Sequence, residues 1–394
     1  MSIRNTYPTI RPSLNLDFAR SRTLDPRITF SRTTTGTYMD SDGLIKVASA
    51  DEARFDHKYE DGNIVSLGLL VEEQRSNLIT YSDQLDEQYN WVDSGTNWSA
   101  NTIISPDGTQ NADDPGFVSE KWGFYDDTNS SWISGYPQNY PFTVTSEWVR
   151  HSATITTPSG CTTLRFYPLR SGNDTSYIYQ RVGVSTSTTY TASAYYKLAD
   201  DGTTVIAWGA QLEAGAFPTS YIPNGTDSQA TRNPDIVSME GDNFSDWYNQ
   251  SEGSIFMQSS LLDVGNTTGK VLWSINQDGV FGEGFYMVNE NNQTSITINA
   301  FYGGSNQAQF GGPTGITTNQ YQKIIFSYQE NNVNACFDGT LGIADTSVGI
   351  ATVGRLVIGN NAWGNILNPG DCHISKLSYY PRRLSNSQLQ NLTK

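Results

Sequence analysis

The sequence predicts an all-β protein: a β-hairpin leader followed by two antiparallel β-sandwiches in tandem. Asn, Thr, Ser and Gly are abundant, whereas Lys, Arg and Glu are scarce, and this balance favours strands joined by polar turns over long helices. Short apolar runs recur between turn residues along the whole chain. Because 394 residues are too many for one ordinary core, we expect more than one domain.

Residues 1–80 predict two hairpins rather than a globular domain. The first turns at Gly43 and the second near Gly62, where glycine supplies the positive φ of a tight turn. The second hairpin is expected to run out along 54–57 and return along 66–71. Two hairpins of this size cannot sustain a core alone, so we expect a neighbouring subunit to order this leader.

Short strands separated by turn signals predict an antiparallel jelly roll for residues 81–225, a linker at 226–234 and a second sandwich at 235–394. The strands of the jelly roll are expected at 142–145, 148–156, 163–169, 177–184, 190–197 and 205–212. Those of the second sandwich are expected at 254–259, 271–275, 284–288, 296–301, 323–329, 334–337, 355–358 and 374–380. Ser385 is expected to cap a final helix.

The strand at 205–212 alternates apolar residues with small or polar ones. Trp208 and Leu212 are therefore expected to face the core, and Gln211 and Glu213 to face water. Glycine and proline residues beyond it end the strand and lead into the linker.

The charge balance excludes some functions. With 24 basic and 40 acidic residues the net charge is −16, which would repel nucleic acid phosphates. No apolar run is long enough to cross a membrane, and the first residues lack the apolar segment of a secretory signal. We therefore expect no nucleic-acid partner, no membrane insertion and no secretion by a signal peptide.

Three stretches resemble known sequences. The phrase WGAQLEAGAFPTSYIPN at 208–224 is similar to the end of carbohydrate-binding-module-like domains in tailed-phage structural proteins, and residues 11–79 support the same match. The stretch ISKLSYYPRRLSNSQLQNL at 374–392 resembles the closing strand and helix of concanavalin A-like, laminin-G-type domains. The resemblance implies a tail-fibre or appendage protein, made in the host cytoplasm and displayed on the virion surface, whose leader packs on other virion proteins of the tail or capsid.

No catalytic pattern is present. Concanavalin A-like folds include glycosidases, which need an acid and a nucleophile about 5 Å apart. The nearest acidic group, Glu240, Asp242 and Asp246, has the wrong spacing and contains a glycine. Three histidines and three cysteines lie at no metal-ligand spacing. We expect no catalytic residues and no cofactor; Ca²⁺ accompanies both folds, but its site stays unplaced.

Sugar binding requires exposed rings beside amides and carboxylates, because a pyranose stacks its C–H face on a ring and bonds its hydroxyls to polar groups. Trp148 lies in an apolar strand and is expected in the core. The candidate carbohydrate-binding residues are Trp122, Trp132, Tyr136, Trp273, Asn276, Asp278 and Trp363.

These observations predict a non-enzymatic phage appendage, a tail fibre or head-attached fibre, that binds host-surface glycans. Weak sugar contacts gain from copy number, so we expect a homo-oligomer, and a trimer in particular. Two alternatives stay open: a capsid decoration protein that binds no sugar, and a polysaccharide-degrading glycosidase.

Overall fold

The computed structural model of the chain describes residues 7–85, 90–96, 99–114, 116, 121–133, 140–141, 144–200, 202–265, 268–278, 280, 282–360 and 370–394. Helices in these ranges are short: α1 Phe18–Ser21, α2 Asp242–Ser245 and α3 Asn386–Thr393. The strands, in chain order, are β1 Leu14–Asp17, β2 Thr29–Ser31, β3 Gly36–Met39, β4 Ile45–Ala48, β5 Arg54–Glu60, β6 Asn63–Val71, β7 Arg75–Asn77, β8 Val92–Ser94, β9 Ser99–Ile103, β10 Ala112–Asp114, β11 Lys121–Asp126, β12 Ser131–Trp132, β13 Tyr140–Pro141, β14 Val149–Thr156, β15 Thr163–Arg170, β16 Tyr177–Gly183, β17 Thr189–Leu198, β18 Val205–Ala214, β19 Ala230–Arg232, β20 Ile236–Glu240, β21 Glu252–Leu261, β22 Lys270–Asn276, β23 Gly284–Asn289, β24 Ile296–Tyr302, β25 Ser305–Gly311, β26 Gln322–Gln329, β27 Asn334–Phe337, β28 Thr340–Leu341, β29 Arg355–Ile358 and β30 Cys372–Tyr380. The all-β prediction is confirmed. Within these ranges, no helix has the length and apolar character needed to cross a membrane.

The described chain divides into two compact units that cut across the predicted domain boundaries. Unit 1 comprises the described residues of 1–42, 48–73 and 233–394, and unit 2 comprises those of 43–47 and 74–232. The predicted linker at 226–234 is not one, because β19 lies within it and pairs with β7.

Unit 1 is an antiparallel sandwich. Its eight-stranded sheet has the order β28-β27-β26-β21-β30-β6-β5, with β1 also paired to β30, and its seven-stranded sheet has the order β2-β20-β29-β22-β23-β24-β25. Met257 and Phe326 of the first sheet share one apolar core with Trp273 and Phe285 of the second. All eight strands predicted for the second sandwich are present.

Most of the leader, the described residues of 1–42 and 48–73, belongs to unit 1, whereas 43–47 and 74–80 belong to unit 2. The leader is therefore not the separate region that the sequence predicted. Its β1 pairs with β30, placing Leu16 opposite Leu377, and β2 pairs with β20. The second predicted hairpin, which turns near Gly62, is present as β5 and β6. The physical reason is burial: Leu16 and Leu69 need an apolar partner, and the sandwich of the same chain provides it.

A buried charge cluster joins the leader to β20 within unit 1. Asp235 accepts hydrogen bonds from Arg32 Nη1 at 2.9 Å and from Arg54 Nη2 at 2.5 Å, and Arg54 Nη1 donates to Glu72 Oε2 at 2.6 Å. All four side chains are fully buried. Burial tends to lower the pKa of Arg54, but the Asp235 and Glu72 carboxylates outweigh it and raise that pKa above its ordinary value. The cluster is therefore two cations matched by two anions.

The C-terminal helix has the predicted cap. Ser385 Oγ accepts from Gln388 N, and the Gln388 side chain accepts from Ser385 N at 3.0 Å, which forms a capping box. Leu389 is fully buried against the sheet, as its position in the helix requires.

Unit 2 is a second antiparallel sandwich. Its sheets have the orders β14-β17-β18-β10-β9 and β12-β11-β15-β16-β8, with β13 also paired to β11. Phe124 and Phe166 of the second sheet pack in one core with Ala192 and Leu212 of the first. Five predicted strands correspond to β14–β18; the predicted strand at 142–145 is absent at 144–145, and 142–143 lie outside the described residues.

The prediction that Gln211 and Glu213 face water is wrong, because the chain after β18 folds back over this side of the strand. Both side chains are fully buried. Gln211 Oε1 accepts from Ile222 N at 2.7 Å, and Glu213 accepts from Thr219 N at 2.9 Å and from Thr219 Oγ1 at 2.7 Å. These side chains accept from the backbone N–H groups of Thr219 and Ile222, which lie outside the strands given above.

Candidate functional site

One face of the six-stranded sheet of unit 2 presents a continuous group of aromatic rings. Successive side chains of a strand point to opposite faces, so the inward residues of β11, β15 and β16 build the core and their neighbours point outward. We call the outward group the aromatic face; it consists of Tyr125, Trp132, Tyr167, Tyr177 and Tyr179.

The five rings contact each other in sequence across the strands. Ring centroids lie 5.2 Å apart for Tyr125 and Trp132, 5.4 Å for Trp132 and Tyr167, and 4.8 Å for Tyr167 and Tyr179. Tyr177 and Tyr179 lie 6.0 Å apart. Tyr167 and Tyr179 are buried, whereas Tyr125, Trp132 and Tyr177 are half-buried, so these three offer ring surface to a ligand.

A tight hairpin places Trp132 in this group. Between β11 and β12, Asp126 accepts from Asn129 N at 2.9 Å and from Asn129 Nδ2 at 2.7 Å, and the turn brings Trp132 opposite Tyr125. Gly123 leaves the space that the indole occupies: a Cβ there would lie 2.9 Å from Trp132 Cζ3. Glycine at this position is therefore a requirement of the aromatic face.

Three arginines stack on the rings. The guanidinium carbon of Arg165 lies 5.0 Å from the Tyr125 centroid, that of Arg170 lies 4.1 Å from the Trp132 centroid, and that of Arg181 lies 5.3 Å from the Tyr179 centroid. These are cation–π distances, and they hold both rings and cations in place.

Two carboxylates complete the face. Asp127 pairs with Arg165 and, at 2.8 Å, with Arg181, which are directly opposed on β15 and β16 and would otherwise repel each other. Burial tends to raise the pKa of Asp127, but the hydrogen bonds from both arginines outweigh it and lower that pKa below its ordinary value.

At the other end of the face, Asp174 also forms ion pairs with two cations. It pairs with Lys121 at 2.8 Å and with Arg170 at 2.7 Å. Among the described residues, the ion pairs of Asp127 and Asp174 thus join four cations to two carboxylates, an excess of two positive charges within these pairs, in a chain whose net charge is −16.

One of the candidate residues named from the sequence lies in this site of unit 2. Trp132 belongs to the aromatic face, but Trp122 is only 1% exposed and packs on Phe166 at a centroid distance of 5.8 Å, so its predicted surface position is wrong. Tyr136 lies outside the described residues. Trp148 is half-buried rather than in the core, and its Nε1 donates to Ile104 O at 3.0 Å.

In unit 1 the structure separates the predicted residues. Trp273 is buried in the core, which contradicts its predicted role at a surface. Asn276 is also buried and accepts from Arg355 Nε at 2.8 Å, whereas Asp278 is exposed and pairs with Arg355 Nη1 at 2.6 Å. Trp363 lies outside the described residues. Asn276 and Asp278 are thus joined through Arg355.

Most residues of the aromatic face were not predicted from the sequence, although a signal was present. In β16, Tyr177, Tyr179 and Arg181 alternate with the core residues Ile178 and Val182. That period of two predicts a strand with an aromatic outer side. In β15, Arg165 and Tyr167 alternate in the same way with the core residues Leu164 and Phe166.

No metal centre accompanies these residues in the part of the chain that the structure describes, where no group of three or more His, Cys, Asp or Glu side chains is placed to hold an ion.

The fold and the site thus define a β-sandwich protein with a ring-lined, positively charged sheet face. No protein-family model and no curated protein sequence matches the chain. Among solved structures, the chain is similar to the CBM40 of Ruminococcus gnavus IT-sialidase bound to α2,3 sialyllactose, at 14% identity and a TM-score of 0.32, over 37% of this chain and 83% of that chain. It is also similar to a heptameric SAP-like pentraxin of Limulus polyphemus, at 12% identity and a TM-score of 0.28, over 36% of this chain and 70% of that chain.

A third similar structure is one of botulinum neurotoxin type C, whose cell entry depends on interaction with two ganglioside molecules. The identity is 10% and the TM-score is 0.33, over 70% of this chain and 50% of that chain. The chain therefore spans half the length of this neurotoxin chain.

Proposed function

We propose that this chain is a non-enzymatic glycan-binding protein and that sugars bind at the aromatic face of unit 2. The observation that carries the proposal is the set of three half-exposed rings, Tyr125, Trp132 and Tyr177, flanked by Arg165 and Arg181. Rings accept the C–H side of a pyranose, and guanidinium groups donate to its oxygens.

The charges on the face support binding rather than hydrolysis. A glycosidase needs a carboxyl group whose pKa is raised, so that it can protonate the leaving oxygen. The pKa of Asp127 is lowered instead, because the hydrogen bonds from Arg165 and Arg181 favour its ionised form.

The biological setting that we propose is the surface of a tailed-phage virion, as a tail fibre or a head-attached fibre. The stretches 208–224 and 374–392, which resemble domains of such appendages, support this setting. The partners would be a host-surface glycan and neighbouring virion proteins.

A glycan array probed with the full chain tests the proposal. We expect binding to bacterial surface glycans, and mass spectrometry of the bound glycans after incubation should recover them uncleaved. Shortened glycans would favour the glycosidase alternative. An array without signal, combined with tight binding to purified capsid protein, would favour the decoration alternative.

The proposed appendage is a homotrimer. Single sugar contacts are weak, and linked copies raise the effective concentration of the remaining sites. Light scattering of the native protein should give three times the chain mass of 43.5 kDa. A mass of one chain at working concentration would contradict this assignment.

A further inference from the structure

A groove lies at the edge of the six-stranded sheet in unit 2, beside the aromatic face. It has a volume of about 490 Å³, within the range of small-ligand pockets. It forms because β8 pairs with β16 only from Tyr177 to Tyr179, so the end of β16 continues beyond β8. Val92 and Val182 contribute an apolar lining, and Gly183 leaves the groove open, since a Cβ there would meet no atom within 4 Å.

The polar lining suits the hydroxyl groups of a sugar. Asn90 Nδ2 donates to Asp227 Oδ1 at 3.1 Å, and Gln229 and Arg181 line the same space, so amide, carboxylate and guanidinium groups converge there. Gln180 is engaged elsewhere, because its side chain bonds to both backbone groups of Thr80 at 2.9 and 3.0 Å. Such mixed donors and acceptors fix the orientation of a small polar ligand.

Arg181 belongs to both surfaces. Its guanidinium stacks on Tyr179 of the aromatic face, its Nε donates to Asp127 at 2.8 Å, and the same residue lines the groove. The side chain is 48% exposed, which leaves it accessible to a ligand anion. A ligand that occupied both surfaces would pass over this cation.

We propose that the groove is a second saccharide subsite and that the ligand is an acidic oligosaccharide whose carboxylate binds Arg181. One sugar stacks on the aromatic face and the next lies in the groove. The acid belongs on the aromatic-face side of Arg181, where the ion pairs of Asp127 and Asp174 contain four cations and two carboxylates, because the groove itself is lined by the carboxylate residue Asp227. Guanidinium groups bind carboxylates through paired, charge-assisted hydrogen bonds. This inference rests on the proposed function, since it extends the same site.

The probes are immobilised uronic-acid glycans of two and four residues, each also as its neutral methyl ester. The full chain should bind the acids about tenfold more tightly than the esters, the equivalent of one charge-assisted hydrogen bond. Arg181→Gln should remove this preference, so that each acid and its methyl ester bind the variant with the same affinity.

Gly183→Trp tests the groove, because the indole would fill it. We expect the tetrasaccharide acid to lose about tenfold in affinity and to bind no better than the disaccharide. The matched control is Gly311→Trp: Gly311 also ends a strand, β25 of unit 1, and also has open space around its Cβ position. Gly311→Trp should change neither the affinity for the tetrasaccharide acid nor that for the disaccharide acid.

The outcomes separate this inference from the proposed function. Equal binding of acids and esters, or a tetrasaccharide affinity that Gly183→Trp leaves intact, would overturn the subsite. If neutral glycans bound and Trp132→Ala abolished that binding, glycan binding at the aromatic face would stand without the acidic ligand. An array with no signal from any glycan would contradict both the second subsite and the proposed glycan binding.

Discussion

Asp235→Ala is expected to lower the free energy of unfolding of unit 1 by about 3–5 kcal/mol, because it removes one partner from a buried ion cluster. Asp235 bonds both Arg32 and Arg54, and its loss leaves two buried guanidinium groups facing the single carboxylate of Glu72. Urea denaturation of the full chain, followed by circular dichroism, measures the change.

The control for this variant is an ion pair on the surface of the same unit. Lys58 and Glu60 lie 2.7 Å apart with side chains 40% and 51% exposed, so Glu60→Ala should cost at most about 1 kcal/mol. Asp235→Asn keeps the size and the acceptor oxygen but loses the charge, and we expect an intermediate loss. Equal unfolding curves for Asp235→Ala and Glu60→Ala would show that the buried charges do not stabilise unit 1.

This cluster illustrates what sequence patterns cannot predict. The strands were predictable because alternation and turn residues are local, and β21–β24 follow directly from them. Arg32 and Arg54 look like ordinary surface charges in the sequence, yet Asp235 lies 203 and 181 positions away from them. The leader was misassigned for the same reason, since β1 and β2 pair with β30 and β20, which are distant from them in the sequence.

At the candidate site, sequence composition likewise did not predict which aromatic residues are buried, although the residues concerned are close together in the sequence. The run around Trp122 is rich in Gly, Ser and Asp, which indicated a loop, but the turn is confined to the residues after β11. Alternation within β11 then directs Trp122 into the core and Tyr125 outward. Composition located the aromatic residues, whereas the phase of the strand decided which of them face the solvent.

Trp132→Ala is expected to weaken glycan binding about 30-fold, which corresponds to about 2 kcal/mol, the loss typical of a ring that anchors an interface. Trp132 is half-exposed and central to the face, since it contacts Tyr125, Tyr167 and the guanidinium of Arg170. Its removal takes away ring surface and leaves Arg170 without its nearest stacking partner. Isothermal titration with the glycan that gives the strongest array signal measures the change.

Two further variants decide whether this loss comes from the ring at this position. Trp132→Phe keeps an aromatic surface there and should retain most of the affinity. Trp148→Ala removes another half-buried tryptophan of unit 2, one that directly precedes β14 of the five-stranded sheet, and should leave the affinity unchanged. If Trp148→Ala reduced binding as much as Trp132→Ala did, the aromatic face would not be the place where the sugar stacks, because the loss would then follow any missing indole of the unit.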